Sequence, residues 1–436
     1  MKLKTIKEIK NLKGKRVLVR VDFNCPIKNG RVINDARIQA SMETVKYLIQ
    51  KKAIVILISH IGDPFKNLKQ IQNSTPTPIG RGSDRSVGEF KNKYSLKPVA
   101  KYINRLHVLG SMLHVKFIDD CVGEKVKKAI KVMKPGEIIL LENLRFYAGE
   151  EKNDLKFAKQ LAELADLYVN EAFSVCHRAH ASVSAITRYL PAYAGFRLAK
   201  EVENLSQILA KPIHPFIVLM GGVKISTKIK TIKNLAKKAD QILIGGALAN
   251  IFLKIKGVNI GASFYEPRMI EVAKKLAKNG KIILPQDSKI KLDNKSLIKE
   301  TKKIDHKFGG DFRIFDIGPK TVELFKKYLK TAKTIVWNGP MGLFEEQFYN
   351  QGTKKIAKTI LNNRKAKIII GGGETIAALR QAQTNTDKNT DLHGNRQRKS
   401  VLSQYGSAHV FVSTGGGAML EFLEGKILPG IKPLIN

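Results

Sequence analysis

The sequence predicts an α/β protein made of two Rossmann-like domains, each a parallel sheet covered by helices, joined by a hinge helix. Three observations lead there. Short apolar runs alternate with amphipathic stretches along most of the chain, the pattern of strands and crossover helices. The alternation pauses once, at a single helical stripe that stops at Lys211-Pro212, and then resumes. The ends of the predicted strands carry arginine and histidine in the first half but glycine in the second. A length of 436 residues suits two or three domains at about 150 residues each.

In order along the first half, Lys15–Phe23 (KRVLVRVDF) reads as a strand, Ala36–Lys51 as a helix and Ala53–Ser59 (AIVILIS) as a buried strand. Ser95–Leu106 follows as a helix, Val115–Asp119 as a strand, Val122–Met133 as a helix and Glu137–Glu142 as a strand. Asp154–Leu164 and Asp166–Ala172 complete the alternation. The stripe Phe196, Leu198, Ala199, Val202, Leu205 and Leu209 marks 195–210 as one helix between a first domain, 1–194, and a second that starts at 211. The strands PFIVLMGG, QILIGG, KIILPQD, KTIVWNG, KIIIGGG and HVFVSTGGG then follow, all but KIILPQD leading into a helix-like segment. Two polar stretches interrupt the pattern, Asp63–Tyr94 and Gln381–Ser407. Loops of that length are uncommon inside compact domains, and both are expected to be surface insertions.

Composition narrows the classes. Apolar residues make up 43% and charged residues 26%, which excludes a mostly disordered chain. Cys25, Cys121 and Cys176 are far apart with no CxxC pair, so neither a disulfide scaffold nor a zinc ribbon is expected. The longest apolar runs fall far short of the roughly 18 residues a membrane span needs, and the start lacks a signal-peptide stretch. A soluble cytoplasmic protein is expected, with no membrane partner. The 77 basic and 37 acidic residues leave a net charge of +40. Such a charge invites nucleic-acid binding, but the lysines spread over helix faces, as in KKAIKVMK, and no RNP1 strand, zinc finger or long basic arm occurs. No specific nucleic-acid partner is therefore expected.

The strand ends carry the chemistry. Gly221-Gly222, Gly245-Gly246, Gly339 with Gly342, Gly371 to Gly373 and Gly415 to Gly417 recur where open α/β sheets bind ligands. A missing side chain lets backbone N–H groups approach phosphate oxygens, and a following helix N-terminus adds positive potential. Five such sites in one domain point to a nucleotide. No P-loop, GxGxxG with a following acid, HRD or DFG is present. Lys224 and Lys228, at i, i+4 after Gly221-Gly222, are expected on one face of a helix N-terminus, aimed at one anion. In the first half, Asp22, Asn24, Arg37, His60, Arg145, His177, Arg178 and His180 sit at strand ends or helix starts. Several arginines there suggest a small ligand with more than one anionic group. A zinc site from His177 and His180 is set aside for want of a third close ligand. The residues thus describe a phosphorylated acid on one sheet and a nucleotide on the other, an arrangement suited to phosphoryl transfer across a closing cleft.

At this point the chain resembles the phosphoglycerate kinase family over nearly its whole length. RVDFNCP, NDARIQA, SLKPVA, LLENLRF, ADLYVNEAF, HRAHAS, GGVKISTK, IGGALANIF, VWNGPMGLFE, GGGET and STGGGAMLEFLEGKILPG follow in that family's order. The resemblance implies transfer between ATP and 3-phosphoglycerate, giving ADP and 1,3-bisphosphoglycerate, with Mg²⁺. It makes 1–194 the phosphoglycerate domain and 211–418 the nucleotide domain, with 419–436 packing back on the first. A monomer is expected. Asp22, Asn24, Arg37, His60, Arg145 and Arg178 would contact phosphoglycerate. Lys224 would meet the transferring phosphoryl group and Lys228 the nucleotide phosphates. Gly245, Gly246, Asn338, Pro340 and Glu345 would line the adenosine pocket, with Glu345 on the ribose. Gly371, Gly372, Gly373, Glu374 and Thr375 would cover the phosphates, Glu374 next to the metal, and Thr414 to Gly417 would close against the substrate side. The attacking carboxylate is already ionised at pH 7, so no general base is needed. Arg37, Lys224, Mg²⁺ and the N–H groups of Gly372 and Gly373 are expected to neutralise the transferred group, while Asp22 orients the substrate hydroxyl.

Three departures stand out. The family's HLGRP reads His60-Ile61-Gly62-Asp63-Pro64 here, which puts an acid where an arginine should hold phosphate. Ile79-Gly80-Arg81 lies 18 residues later, so Arg81 is expected to supply that arginine if the intervening residues form an insertion. The family's metal-site Asp is Glu374, and Gln381–Ser407 is longer than the usual link. Two rival readings remain: a catalytically weak relative that binds nucleic acid through its charge, and a kinase for a different carboxylic acid.

Overall fold

The computed structural model describes residues 1–64, 92–108, 111–292, 295–300, 311–384 and 409–436. The chain divides into two compact units, Met1–Glu203 with Ile427–Asn436, and Asn204–Lys426.

The first unit is built on a six-stranded sheet whose neighbouring strands are Ala192–Ala194, Leu167–Asn170, Arg16–Arg20, Ile54–Ile58, Ile138–Leu141 and Val115–Ile118. Every pairing in it is parallel. The strands are apolar almost throughout because both faces are covered. Val17, Val19, Val55 and Leu57 enter one core, while Leu18, Ile56, Ile58 and Tyr168 enter the other, as a two-residue period requires. The helices Ala36–Gln50, Lys97–Ile103, Glu124–Lys131 and Leu155–Ala162 are each shorter than the sequence pattern suggests, since their last predicted turns are turns or caps. The chain order reverses between Arg16–Arg20 and its neighbour Leu167–Asn170, which places a ligand crevice beyond their carboxyl ends.

The second unit has its own six-stranded parallel sheet, in the order Ile282–Ile283, Gln241–Ile244, Phe216–Met220, Thr334–Asn338, Lys367–Gly371 and Val410–Val412. In chain order this is the doubly wound dinucleotide-fold arrangement, with its reversal between Phe216–Met220 and Thr334–Asn338. Trp337, fully buried in the second of these, anchors the core on one face. One element escapes the sequence reading. After KIILPQD the strands Asp287–Leu292, Lys295–Glu300 and Phe312–Ile317 form a separate antiparallel sheet.

The helix expected at 195–210 spans Phe196–Ala210, and the divide between the units falls inside it, at Glu203/Asn204. The segment expected to leave the second domain at 419 leaves later. The helix Gly417–Leu423 stays with the second unit, where Thr231 Oγ1 and Asn234 Nδ2 donate to the Leu420 and Leu423 carbonyls at 3.1 and 2.8 Å. Only Ile427–Asn436 joins the first unit, pairing through Lys4 N to Leu434 O and Gly430 N to Cys176 O. All three cysteines are free and buried. No helix among the described residues is long and apolar enough to cross a membrane.

Candidate active site

In the first unit the crevice is lined from the strand ends outward. Asp22, two residues past Arg16–Arg20, is buried and carries three bonds. Its Oδ2 accepts from Arg37 Nη1 at 2.7 Å and from Ser174 Oγ at 2.5 Å, and its Oδ1 accepts from Asn24 N at 3.1 Å. Arg37 reaches it from the first turn of Ala36–Gln50. The Asn24 side chain accepts from Gly62 N at 3.0 Å, while Arg145 donates through Nη1 to Gly62 O at 2.6 Å and its Nε stands 3.1 Å from the Glu151 carboxylate. The peptide after His60-Ile61 is thereby clamped from both sides. His60 is buried and held well below the usual histidine pKa, first by burial and then by Arg20, Arg145 and Arg37. Arg20 Nη2 lies 3.0 Å from its Nδ1. Because that guanidinium can only donate, Nδ1 accepts and the proton belongs on Nε2. Burial, with Arg145, Arg20 and Arg178 nearby, pushes His180 down to about 3. Arg178 is exposed and donates to His177 Nε2 at 3.3 Å. Arg20, Arg37, Arg145 and Arg178 therefore gather beside two neutral histidines, with Arg20 buried beneath them.

Asp63 lies close enough to Arg145 to act on its charge. Arg81 lies outside the described residues, as do 65–91 and 385–408, and with them nearly all of both expected insertions.

In the second unit the glycines converge. A methyl group on Gly339 would fall 2.3 Å from the Gly221 carbonyl oxygen and 2.6 Å from Lys228 Nζ. One on Gly246 would fall 2.9 Å from Gly222 N. Gly339 and Gly372 both have φ near +95°, a conformation costly for any side chain. Only backbone fits here, and Pro340 O, accepting from Gly222 N at 2.8 Å, ties two of the loops together. Gly245 is buried against Met341. Thr375 Oγ1 accepts from Gly339 N at 2.7 Å. Gly371 ends its strand, and Gly373 and Glu374 open the helix Gly373–Thr384 as exposed residues. The Asn338 Nδ2 amide is buried beside Gly372 with no hydrogen-bond partner. A buried donor left unpaired is costly. Glu345 is exposed on the loop after Pro340, and Thr414 to Gly416 lie between the last strand and the helix that Gly417 opens.

Lys224 and Lys228 do not share a helical face as expected. The residues from Gly222 to Lys228 form turns, and the helix is Ile229–Leu235 with Lys228 as its N-cap. Lys228 is buried, its ammonium bonded to the Gly221 carbonyl, and burial lowers its pKa to about 8 against the opposing pull of Glu374. Lys224 is exposed and acts on Glu266. The two cations have different tasks: one is fixed among the glycines and the other reaches outward.

Sequence reasoning missed Arg20, Ser174 and the Ser182–Glu150 pair behind them. Arg20 had a visible signal, a charge within an otherwise apolar strand. Its partners had none, because Ser182 and Glu150 are remote in sequence.

A doubly wound nucleotide-type sheet with glycine-lined strand ends, on the same chain as an arginine-rich anion crevice, defines the class as a phosphotransferase with a non-P-loop phosphate site. Comparison with known proteins gives the particular family. The family model described as phosphoglycerate kinase matches residues 6–426. A phosphoglycerate kinase of Pseudothermotoga lettingae is 43% identical, covering 100% of this chain and 99% of its own. One from Dictyoglomus turgidum is 44% identical with the same coverage. The solved structure of phosphoglycerate kinase from Coxiella burnetii matches with a TM-score of 0.76 at 35% identity, covering 99% of both chains. The chain belongs to the phosphoglycerate kinase family.

Proposed function

We propose that the chain catalyses the reversible transfer of a phosphoryl group between ATP and 3-phosphoglycerate, with the acid held in the arginine crevice of the first unit and the nucleotide on the glycine ends of the second. The observation that carries the nucleotide half is the meeting of Gly221, Gly222 and Gly339 at buried Lys228, with the Asn338 amide left unpaired beside Gly372. In the acid half, Asp22 would orient the substrate hydroxyl. Arg37, Arg145, Arg178 and His60, through its Nε2–H, would hold the carboxylate and phosphate. Gly245, Gly246, Pro340 and Glu345 would face the nucleoside, while Thr375 and Thr414 to Gly417 would flank the phosphates.

Mg²⁺ fits the donors present. Among the described residues no group of three or more acidic, His or Cys side chains is built for a metal. Glu374, one exposed carboxylate close to Lys228 and Gly222, is the donor that phosphate oxygens would complete. The ion supplies charge neutralisation on the transferred group when bound. Transfer also requires the two bound ligands to meet, so closure by bending at the Phe196–Ala210 helix belongs to the proposal. Both ligand sites are drawn from one chain, and the enzyme is read as a cytoplasmic monomer.

The decisive test is a coupled assay with ATP and 3-phosphoglycerate. Turnover is expected. Absence of turnover together with salt-sensitive polynucleotide binding would favour the charge-driven alternative, and turnover only with another acid would redirect the substrate assignment. A pH series adds a second check. Lys228 binds phosphate in its charged form, so nucleotide affinity is expected to fall as pH rises through about 8, approaching tenfold per unit above it. An ADP dissociation constant that stays flat from pH 7 to 9.5 would remove Lys228 from the phosphate site.

A further inference from the structure

The second unit buries one charged pair for which the reaction has no direct use. Lys289 lies in the strand Asp287–Leu292 and is 7% exposed, and Asp316, in the neighbouring strand Phe312–Ile317, is 2% exposed. The Lys289 ammonium stands 3.9 Å from the Asp316 carboxylate, donates to the Phe348 carbonyl at 2.6 Å and sits 4.6 Å from the Phe348 ring centre. Burying both charges is expensive, and an apolar pair of the same volume often does as well for stability alone. What the pair supplies is geometry.

That geometry concerns the loop that bears Glu345. Asp316 accepts from Gly352 N at 2.9 Å, and methyl groups on Gly342 or Gly352 would lie 2.3 and 2.4 Å from its Oδ1. Both ends of the loop are therefore packed against one carboxylate. Leu343 N donates to Phe315 O at 2.8 Å, and the Tyr349 ring packs against Phe315 with centroids 5.0 Å apart and planes tilted by 46°. Lys289 ties down Phe348 between these anchors, leaving Glu345, Glu346 and Gln347 as an exposed arch. Lys355 is the other charge that acts on the pair.

We propose that Lys289, acting with Asp316, is a positioning residue for the nucleotide: it fixes the height of the arch that presents Glu345, and so sets nucleotide affinity without touching the reacting atoms. This rests on the reading that Glu345 meets the nucleotide. Without the ammonium, Asp316 has no nearby buried cation and Phe348 O has no donor, so the arch loses its middle anchor.

The test compares Lys289→Met, Lys289→Arg and Glu345→Ala in the full chain, each checked for native circular dichroism. Lys289→Met is expected to raise KM for ATP about tenfold, with kcat within about twofold and KM for 3-phosphoglycerate unchanged, the pattern of lost ground-state binding. Lys289→Arg, which keeps a donor and a charge, is expected to recover most of that loss. A Lys289→Met enzyme with unaltered KM for ATP, beside a Glu345→Ala enzyme in which it rises, would overturn the proposal while leaving the Glu345 reading intact. If Glu345→Ala leaves KM for ATP unchanged, the underlying reading fails and the proposal with it. Equal losses in kcat and both KM values, or no recovery with arginine, would reduce Lys289 to a merely structural residue.

Discussion

Lys224→Ala and Arg37→Ala are each expected to lower kcat by about 10²-fold or more, the scale of removing one preorganised donor from a developing oxyanion. The nucleophile is an ionised carboxylate, so catalysis has little to gain from a base and much to gain from cations aimed at the transferred group. Lys224 is exposed in a turn, while Lys228, four residues on, is locked to the Gly221 carbonyl. On the proposed reading, the exposed Lys224 is the one that follows the phosphoryl group as it moves. Its loss should leave folding stability within about 0.5 kcal/mol of the parent, as for other exposed side chains. Arg37 differs. It holds Asp22, whose carboxylate is otherwise left with Ser174 Oγ and a backbone N–H. Arg37→Ala should therefore also raise KM for 3-phosphoglycerate, because the misplaced carboxylate no longer orients the hydroxyl. Steady-state kinetics in both directions checks these outcomes, and turnover near the parent level for either variant would remove its catalytic role.

How much of this was legible in the chain follows from what is local. Apolar runs such as Ala53–Ser59 encode buried parallel strands, and glycines at strand ends encode close backbone approach, so both sheets and the nucleotide edge could be read. The turn from Gly222 to Lys228 could not. An i, i+4 lysine pair looks helical, but the glycines and the burial of Lys228 delay the helix to Ile229. The antiparallel strands from Asp287 were hidden for a related reason. Lys289 and Lys291 alternate with Ser288, Ile290 and Leu292, which reads as polar surface, yet Lys289 points into a buried pair. Its partner Asp316 is 27 positions away. Local patterns report which way a side chain can point, whereas the partner that makes burial tolerable comes from the tertiary fold.

The same distinction gives Arg20→Met the largest expected cost in stability. Arg20 is fully buried, with Nη1 donating to Val21 O at 2.6 Å, Nε to Ser182 Oγ at 2.9 Å and Nη2 facing His60 Nδ1. Ser182 passes the polarity on: its hydroxyl and its N–H both donate to Glu150, at 2.6 and 2.9 Å, and Glu150 is also fully buried. Arginine and glutamate are thus joined through one hydroxyl rather than directly. Methionine fills much of the volume but leaves a buried carboxylate with no cation behind its donor and leaves His60 Nδ1 unpaired, while Val21 O keeps only its bond from Ser59 Oγ at 2.8 Å. Removing one partner of such a buried pair costs about 3–5 kcal/mol, a large share of a typical stability of about 5–15 kcal/mol. His60 also loses the contact that holds its proton on Nε2, so KM for 3-phosphoglycerate should rise in whatever fraction remains folded. Denaturant unfolding measures the first effect, and the double variant Arg20→Met/Glu150→Gln isolates its cause. If the stranded carboxylate is the main penalty, the double variant is more stable than Arg20→Met alone, a coupling that independent sites would not show. A loss below about 1 kcal/mol for Arg20→Met would mean that water or a rearranged Ser182 satisfies Glu150, and the buried relay would then have no energetic standing.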